Sequence, residues 1–105
     1  MSLFIFGSDK ITSIPAPVKK EIGDAARFGI KILVANGSSV HNIIKEFIPE
    51  KAINSYTYVA DAINHCDKAI VLWDVRERGT GVAIDKLSGL HKPTRIYDMI
   101  LNQWS

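Results

Sequence analysis

The segment Asp67-Lys-Ala-Ile-Val-Leu-Trp-Asp74 runs straight into Val-Arg-Glu-Arg-Gly-Thr80, and this junction holds the residue types best suited to chemistry. An apolar run with the character of a buried strand ends on the carboxylate of Asp74. Arg76 and Arg78 occupy the loop, and Gly79-Thr80 opens a helical pattern. Amides at the start of a helix point at an anion, the helix dipole favours it, and arginines neutralise it. Serine and threonine hydroxyls donate to phosphate, and an acid such as Asp74 or Asp9 accepts from ribose hydroxyls. Recognition of a sugar phosphate is the chemistry this combination suits.

Two more turns share this polar, glycine-bearing character. Gly7-Ser8-Asp9-Lys10 follows the short apolar run Leu3–Phe6, and Asn36-Gly37-Ser38-Ser39 follows Ile30–Ala35. Glycine permits positive φ and close approach of backbone to a ligand. The candidate ligand-binding residues are therefore Gly7, Ser8, Asp9, Lys10, Asn36, Gly37, Ser38, Ser39, Asp74, Arg76, Arg78, Gly79 and Thr80. Each turn alone is equally well an ordinary turn or cap. The three-glycine dinucleotide fingerprint and the Walker loop are both missing.

The elements that must position these turns alternate between strand and helix. After Leu3–Phe6 comes a long polar connection with Pro15-Ala-Pro17, and Pro17 suits the first turn of a helix. Val18, Ile22, Ala25 and Ala26 fall on one face of that helix, and Gly29 suits its end. Ile30–Ala35 reads as a second strand, after which Ser38 or Ser39 can cap a helix striped by Val40, Ile43, Ile44, Phe47 and Ile48. Tyr56–Val59 is a weaker strand candidate. Val59, Ala62, Ile63 and Cys66 have helical spacing, and Ala69–Trp73 has the continuous apolar run of a strand covered on both faces. A helix from about Thr80 to Leu90 carries Ala83, Leu87 and Leu90, Pro93 ends it, and Thr94–Tyr97 is the last strand. The apolar tail Met99–Trp104 packs either on its own domain or on another subunit. Such alternation implies a parallel sheet with helices on both faces. In an open sheet of this kind ligands bind beyond the carboxyl ends of the strands, where the strand order reverses.

Phe4-Ile-Phe-Gly-Ser8, Gly37-Ser-Ser39, Cys66-Asp-Lys-Ala-Ile-Val-Leu-Trp-Asp74 with Arg78-Gly-Thr80, and Lys92-Pro-x-Arg-Ile-Tyr97 together resemble the SLOG superfamily of Rossmann-like domains. The resemblance runs from Leu3 to Tyr97. It implies a nucleotide or nucleotide-derived ligand at the three turns and assembly into homo-oligomers. The second half is also similar to nucleoside 2-deoxyribosyltransferase-like proteins, whose last helix opens with Gly-Thr and precedes a Lys-Pro strand. Relatives that act on the N-glycosidic bond place a glutamate three residues after that threonine, and the residue here is Ala83. The Pro-Gly-Gly motif of the phosphoribohydrolase branch is replaced by Arg76-Glu-Arg-Gly79. N-glycoside cleavage calls for a carboxylate against a cationic sugar. Asp9, Asp74 and Glu77 are the remaining catalytic candidates, Asp85 falling too far along the helix.

The other residues take ordinary readings. His41, His65 and His91 have no metal-ligand spacing, so neither a metal nor a cofactor is expected. His41 can touch a ligand phosphate or, more ordinarily, face solvent in the first turn of its helix. Cys66 reads as a buried, inert thiol, Trp73 as core, Trp104 as a packing or interface anchor, and Lys19-Lys20-Glu21 as a solvated face. The 105 residues suit a single domain. A net charge of +2 gives no reason to expect nucleic acid or a membrane as partner. One cysteine, no basic n-region and no membrane-length run point to a cytoplasmic protein.

The expected fold is α/β, three-layer and Rossmann-like, with about five mainly parallel strands. The expected function is nucleotide binding as sensor, carrier or sequestering protein. Two alternatives are a nucleoside 2-deoxyribosyltransferase-like enzyme or nucleoside monophosphate N-glycosidase, and an oligomeric interaction module with a vestigial cleft and residues 99–105 as its interface.

Overall fold

Strand β1 (Ser2–Gly7) lies between β2 (Lys31–Ala35) and β4 (Lys68–Trp73), parallel to both. The computed structural model describes residues 1–74 and 78–105, with Arg78 and Gly79 described by backbone alone. Its sheet has six strands in the order β3-β2-β1-β4-β5-β6, with β3 at Ile53–Tyr56, β5 at Thr94–Asp98 and β6 at Gln103–Trp104. The first five are mutually parallel, and only β6 is antiparallel to its neighbour. The chain moves outward from β1 through β2 to β3, then returns past β1 to β4 and β5. The reversal of strand order therefore falls between β1 and β4.

Successive side chains of a strand point to opposite faces, and the core divides accordingly. Leu3, Ile5, Ile70 and Leu72 join one apolar cluster, which receives Val18 and Ile22 of α1 (Ala16–Arg27) and Val40 and Ile44 of α2 (Ser39–Ile44). Phe4, Ala69 and Val71 join the other, with Ala62 and Ile63 of α3 (Val59–His65) and Ala83 and Leu87 of α4 (Arg78–Gly89). This arrangement agrees with the expected three-layer, Rossmann-like α/β class. β4 is buried through Ala69–Leu72, which accounts for its unbroken apolar run.

Three details differ from the sequence reading. The third strand is Ile53–Tyr56 rather than Tyr56–Val59, and Val59 opens α3. It pairs with β2 at the end of the sheet and exposes Asn54 and Ser55, so the apolar signal that marks a covered strand is weak there. Regular helix in α2 stops at Ile44. The chain winds on through tighter turns, with Phe47 N–H donating to the Ile44 carbonyl, and still buries Ile48. The tail adds β6 to its own sheet, where Trp104 meets Tyr97 edge-on with ring centres 5.3 Å apart and Arg95 lies over the indole.

Two residues of the distinctive second half serve the fold. Asp67 accepts from the Ser2 amide at 2.8 Å, fixing the start of β1 against that of β4. Lys92 follows His91, whose φ of 56° turns the chain back after α4. The Lys92 ammonium donates to the carbonyls of Ile63, Asn64 and Cys66 at 2.7, 2.8 and 2.7 Å. The last carbonyls of a helix lack intrahelical donors and carry partial negative charge, so a cation there completes α3. Hydrogen bonds to charged groups are worth about 1.5–3 kcal/mol each, and these three are not independent. Lys92→Met is expected to lower the urea unfolding free energy by roughly 2–3 kcal/mol on that basis. An unchanged urea midpoint would show that the lysine contributes nothing to stability.

Candidate functional site

The turns after β1 and β2 meet at the carboxyl end of the sheet. Ser39 Oγ donates to the Asp9 carbonyl at 2.6 Å, which pins one turn to the other. Beside this contact lies a cleft of about 240 Å³ lined by Phe6, Gly7, Ser8, Asp9, Ala35, Val59 and Thr80. It thus joins the ends of β1 and β2, the start of α3 and the first turn of α4. A second cleft of about 170 Å³, lined by Ser8, Lys10, Ile11, Thr12, Ser13, Asp74 and Met99, lies on the other side of Ser8. Ser8 lines both.

The expected ligand residues divide by position. Gly7, Ser8, Asp9 and Thr80 line the first cleft, and Ser8, Lys10 and Asp74 line the second. Asn36, Gly37, Ser38 and Ser39 line neither, although Ser39 touches the first turn and Ala35 reaches the cleft in their place. Arg76 and Glu77 lie outside the described residues. Arg78 and Gly79 open α4 immediately before Thr80, the residue of α4 that lines the first cleft.

Local structure explains why several of these residues are present. A side-chain carbon on Gly7 would come within 2.3 Å of Ile11 Cδ1 and 3.2 Å of Leu72. The glycine therefore admits Ile11 to the core rather than supplying a positive φ. Gly37 does supply one, at 74°. Ser38 is the N-cap of α2, its Oγ accepting from the His41 amide at 3.1 Å. The backbone hydroxyl contacts of Ser38 and Ser39 thus account for both serines within the fold.

Thr80 is different. It is 1% exposed, and its Oγ1 has no hydrogen-bond partner among the described residues. A helical threonine hydroxyl ordinarily returns to the carbonyl four residues earlier, and that position is Arg76. A polar group buried without a partner costs about 1–3 kcal/mol, and the Trp73 indole N–H is a second such group among the described residues.

Sequence reasoning missed Phe6, Ala35 and Val59 as cleft residues. Each is apolar and sits at or next to the end of an element, so only the meeting of strand ends and helix starts brings them together. His41 also differs from its solvent-facing expectation. It is 8% exposed, and its Nδ1 accepts the Gly37 amide at 3.1 Å. The ring supports the second turn from behind as a neutral imidazole. A larger groove of about 470 Å³ lies along α1, lined by residues including Lys20, Glu21, Asp24 and Phe28. Glu21 there is already paired with Arg95, and of the strand carboxyl ends only Trp104 of the antiparallel β6 lines it, away from the reversal of strand order. Among the described residues no group of three His, Cys, Asp or Glu side chains can hold a metal ion, and no helix is long and apolar enough to cross a membrane.

Burial, followed by the charge of Lys45, pushes His41 below its ordinary value of 6.5, with Glu50 opposing. The unfolded chain therefore takes up this proton first as pH falls, so the contribution of His41 to stability is present above 6.5 and is lost below it. Thermal midpoints measured across that range should fall with acidification more steeply in the native chain than in His41→Gln. Parallel curves would show that folding does not hold the proton off His41.

Comparison of the chain with protein-family models, curated proteins and solved structures gives no match.

Proposed function

We propose that this protein binds a nucleotide or nucleotide-derived ligand at the carboxyl ends of its strands, as a sensor, carrier or sequestering protein of the SLOG type. One observation carries the reading. The reversal of strand order beside β1 opens onto a cleft that unites the first turn, the end of β2 and the start of α4, with Thr80 buried at its wall and unpaired among the described residues. Open α/β sheets take their ligands at this point, and a twelve-residue helix such as α4 presents free amides and the positive end of its dipole there.

In this reading the phosphate rests against the first turn of α4 and the Thr80 hydroxyl, and Asp9 accepts from the ribose. Lys10, Arg76 and Arg78 supply neutralising charge. An N-glycosidase function would need a carboxylate at the sugar, and Ala83 stands where the glutamate of the resembling enzymes would be. Binding without turnover is the function these residues favour.

Thr80→Val tests both halves of the argument. Replacing an unpaired buried hydroxyl by an apolar group of the same shape is neutral or stabilising. The variant should therefore unfold at the same or a higher temperature, while calorimetric affinity for the best of AMP, ADP, NAD, ADP-ribose and cyclic dinucleotides falls about tenfold, the loss of ~1.4 kcal/mol. Destabilisation with unchanged affinity would make Thr80 a structural residue. Silence of the native chain across the panel would remove the proposal, and chromatographic release of free base would replace it with the enzymatic one.

A further inference from the structure

We infer that the ligand's base lies between α3 and α4, in an apolar annex that continues the candidate phosphate cleft. The annex has a volume of about 330 Å³ and is lined by Phe6, Val59, Ala60, Ile63, Val82, Ala83 and Lys86. Phe6 and Val59 also line the cleft that holds Thr80, so the two spaces share walls. One is edged by hydroxyl, carboxylate and backbone groups, and the other is almost wholly apolar. A nucleotide has this same division, with a flat, weakly hydrated ring at one end and an anion at the other. Ligand pockets of this size usually combine an apolar wall with a few polar groups in this way.

The geometry of α4 sets the spacing. Thr80 and Ala83 are three residues apart and so lie on one face of the helix, separated by roughly 4.5 Å of rise. That is the scale of a single sugar ring. Ala83 and Ile63 are buried beneath the annex, whereas Val82, which also lines it, is 56% exposed. Phe6 is half-buried, and its ring stacks on Phe4 with centres 5.7 Å apart, which holds it in place as a platform. Aromatic rings held in this way bind bases by stacking. The small side chain at Ala83 keeps the space open.

This inference rests on the nucleotide reading above, and a matched pair of ligands separates the two. AMP and ribose 5-phosphate differ only in the base. Calorimetric titration of the native chain should give AMP an affinity at least tenfold above that of ribose 5-phosphate, the scale of one stacked base. Ala83→Leu, which fills the annex, should remove that advantage. Val82→Ser, a change at an exposed position that leaves the core intact, should reduce the advantage about threefold while ribose 5-phosphate binding stays within twofold of native. Equal affinities for the two ligands on the native chain would overturn the annex assignment and leave phosphate recognition standing. Binding of neither would overturn the annex assignment, and silence across the whole nucleotide panel would overturn the nucleotide reading with it.

Discussion

Parallel pairing of β1 with a neighbour on each side is the constraint on which the rest depends. β1 bonds to β2 through Ser2–Phe4 and to β4 through Leu3–Gly7, so its whole length is held within the sheet. Parallel neighbours cannot be joined by tight hairpins and need crossover connections, here built on helices. Those connections leave the turns that follow β1 and β2, and the last residues of β4, at one end of the sheet. The cleft is thus a consequence of topology. Hydrophobic burial drives it, with Phe4, Val71 and Leu72 fully enclosed at the centre.

The same topology explains why some polar residues at this end belong to the fold and others remain available. Ser38 caps α2, Ser39 fastens the second turn to the first, and His41 supports the second turn from behind. Together they tie the second turn to the first and to α2. Ser8 is 3% exposed and, besides lining both clefts, accepts the Lys10 amide, so it shapes the first turn. Thr80 has no comparable local task among the described residues. A site placed on strand ends and helix starts keeps its geometry better than one on a long loop, because packing locks the supporting side chains.

Periodicity made most of this fold legible. The stripes of α1 and α2 and the covered run of β4 reflect burial against the sheet, which sequence patterning records, whereas Pro17 and Gly29 mark the ends of α1 through backbone geometry. β3 was misplaced because it pairs at the end of the sheet, exposes Asn54 and Ser55, and needs backbone pairing more than apolar side chains. β6 is two residues long and is fixed by tertiary contacts of Trp104 with Tyr97 and Arg95, which no local pattern announces. Lys92 and Asp67 belong to a distinctive motif, yet their partners are backbone groups of other elements. Gly7 was legible as a glycine in the right place, but the packing of Ile11 that requires it was not. The annex was invisible for the same reason, since Phe6, Val59 and Val82 come from three separate elements.

The most direct test of the central claim is amide NMR of the labelled chain titrated with AMP. Shifts should concentrate at Gly7–Asp9, Ala35 and Thr80, extend to Val59 and Val82, and spare the groove along α1. Shifts confined to Lys20, Asp24 and Phe28, or scattered without saturation, would place the ligand away from the strand ends and contradict the account.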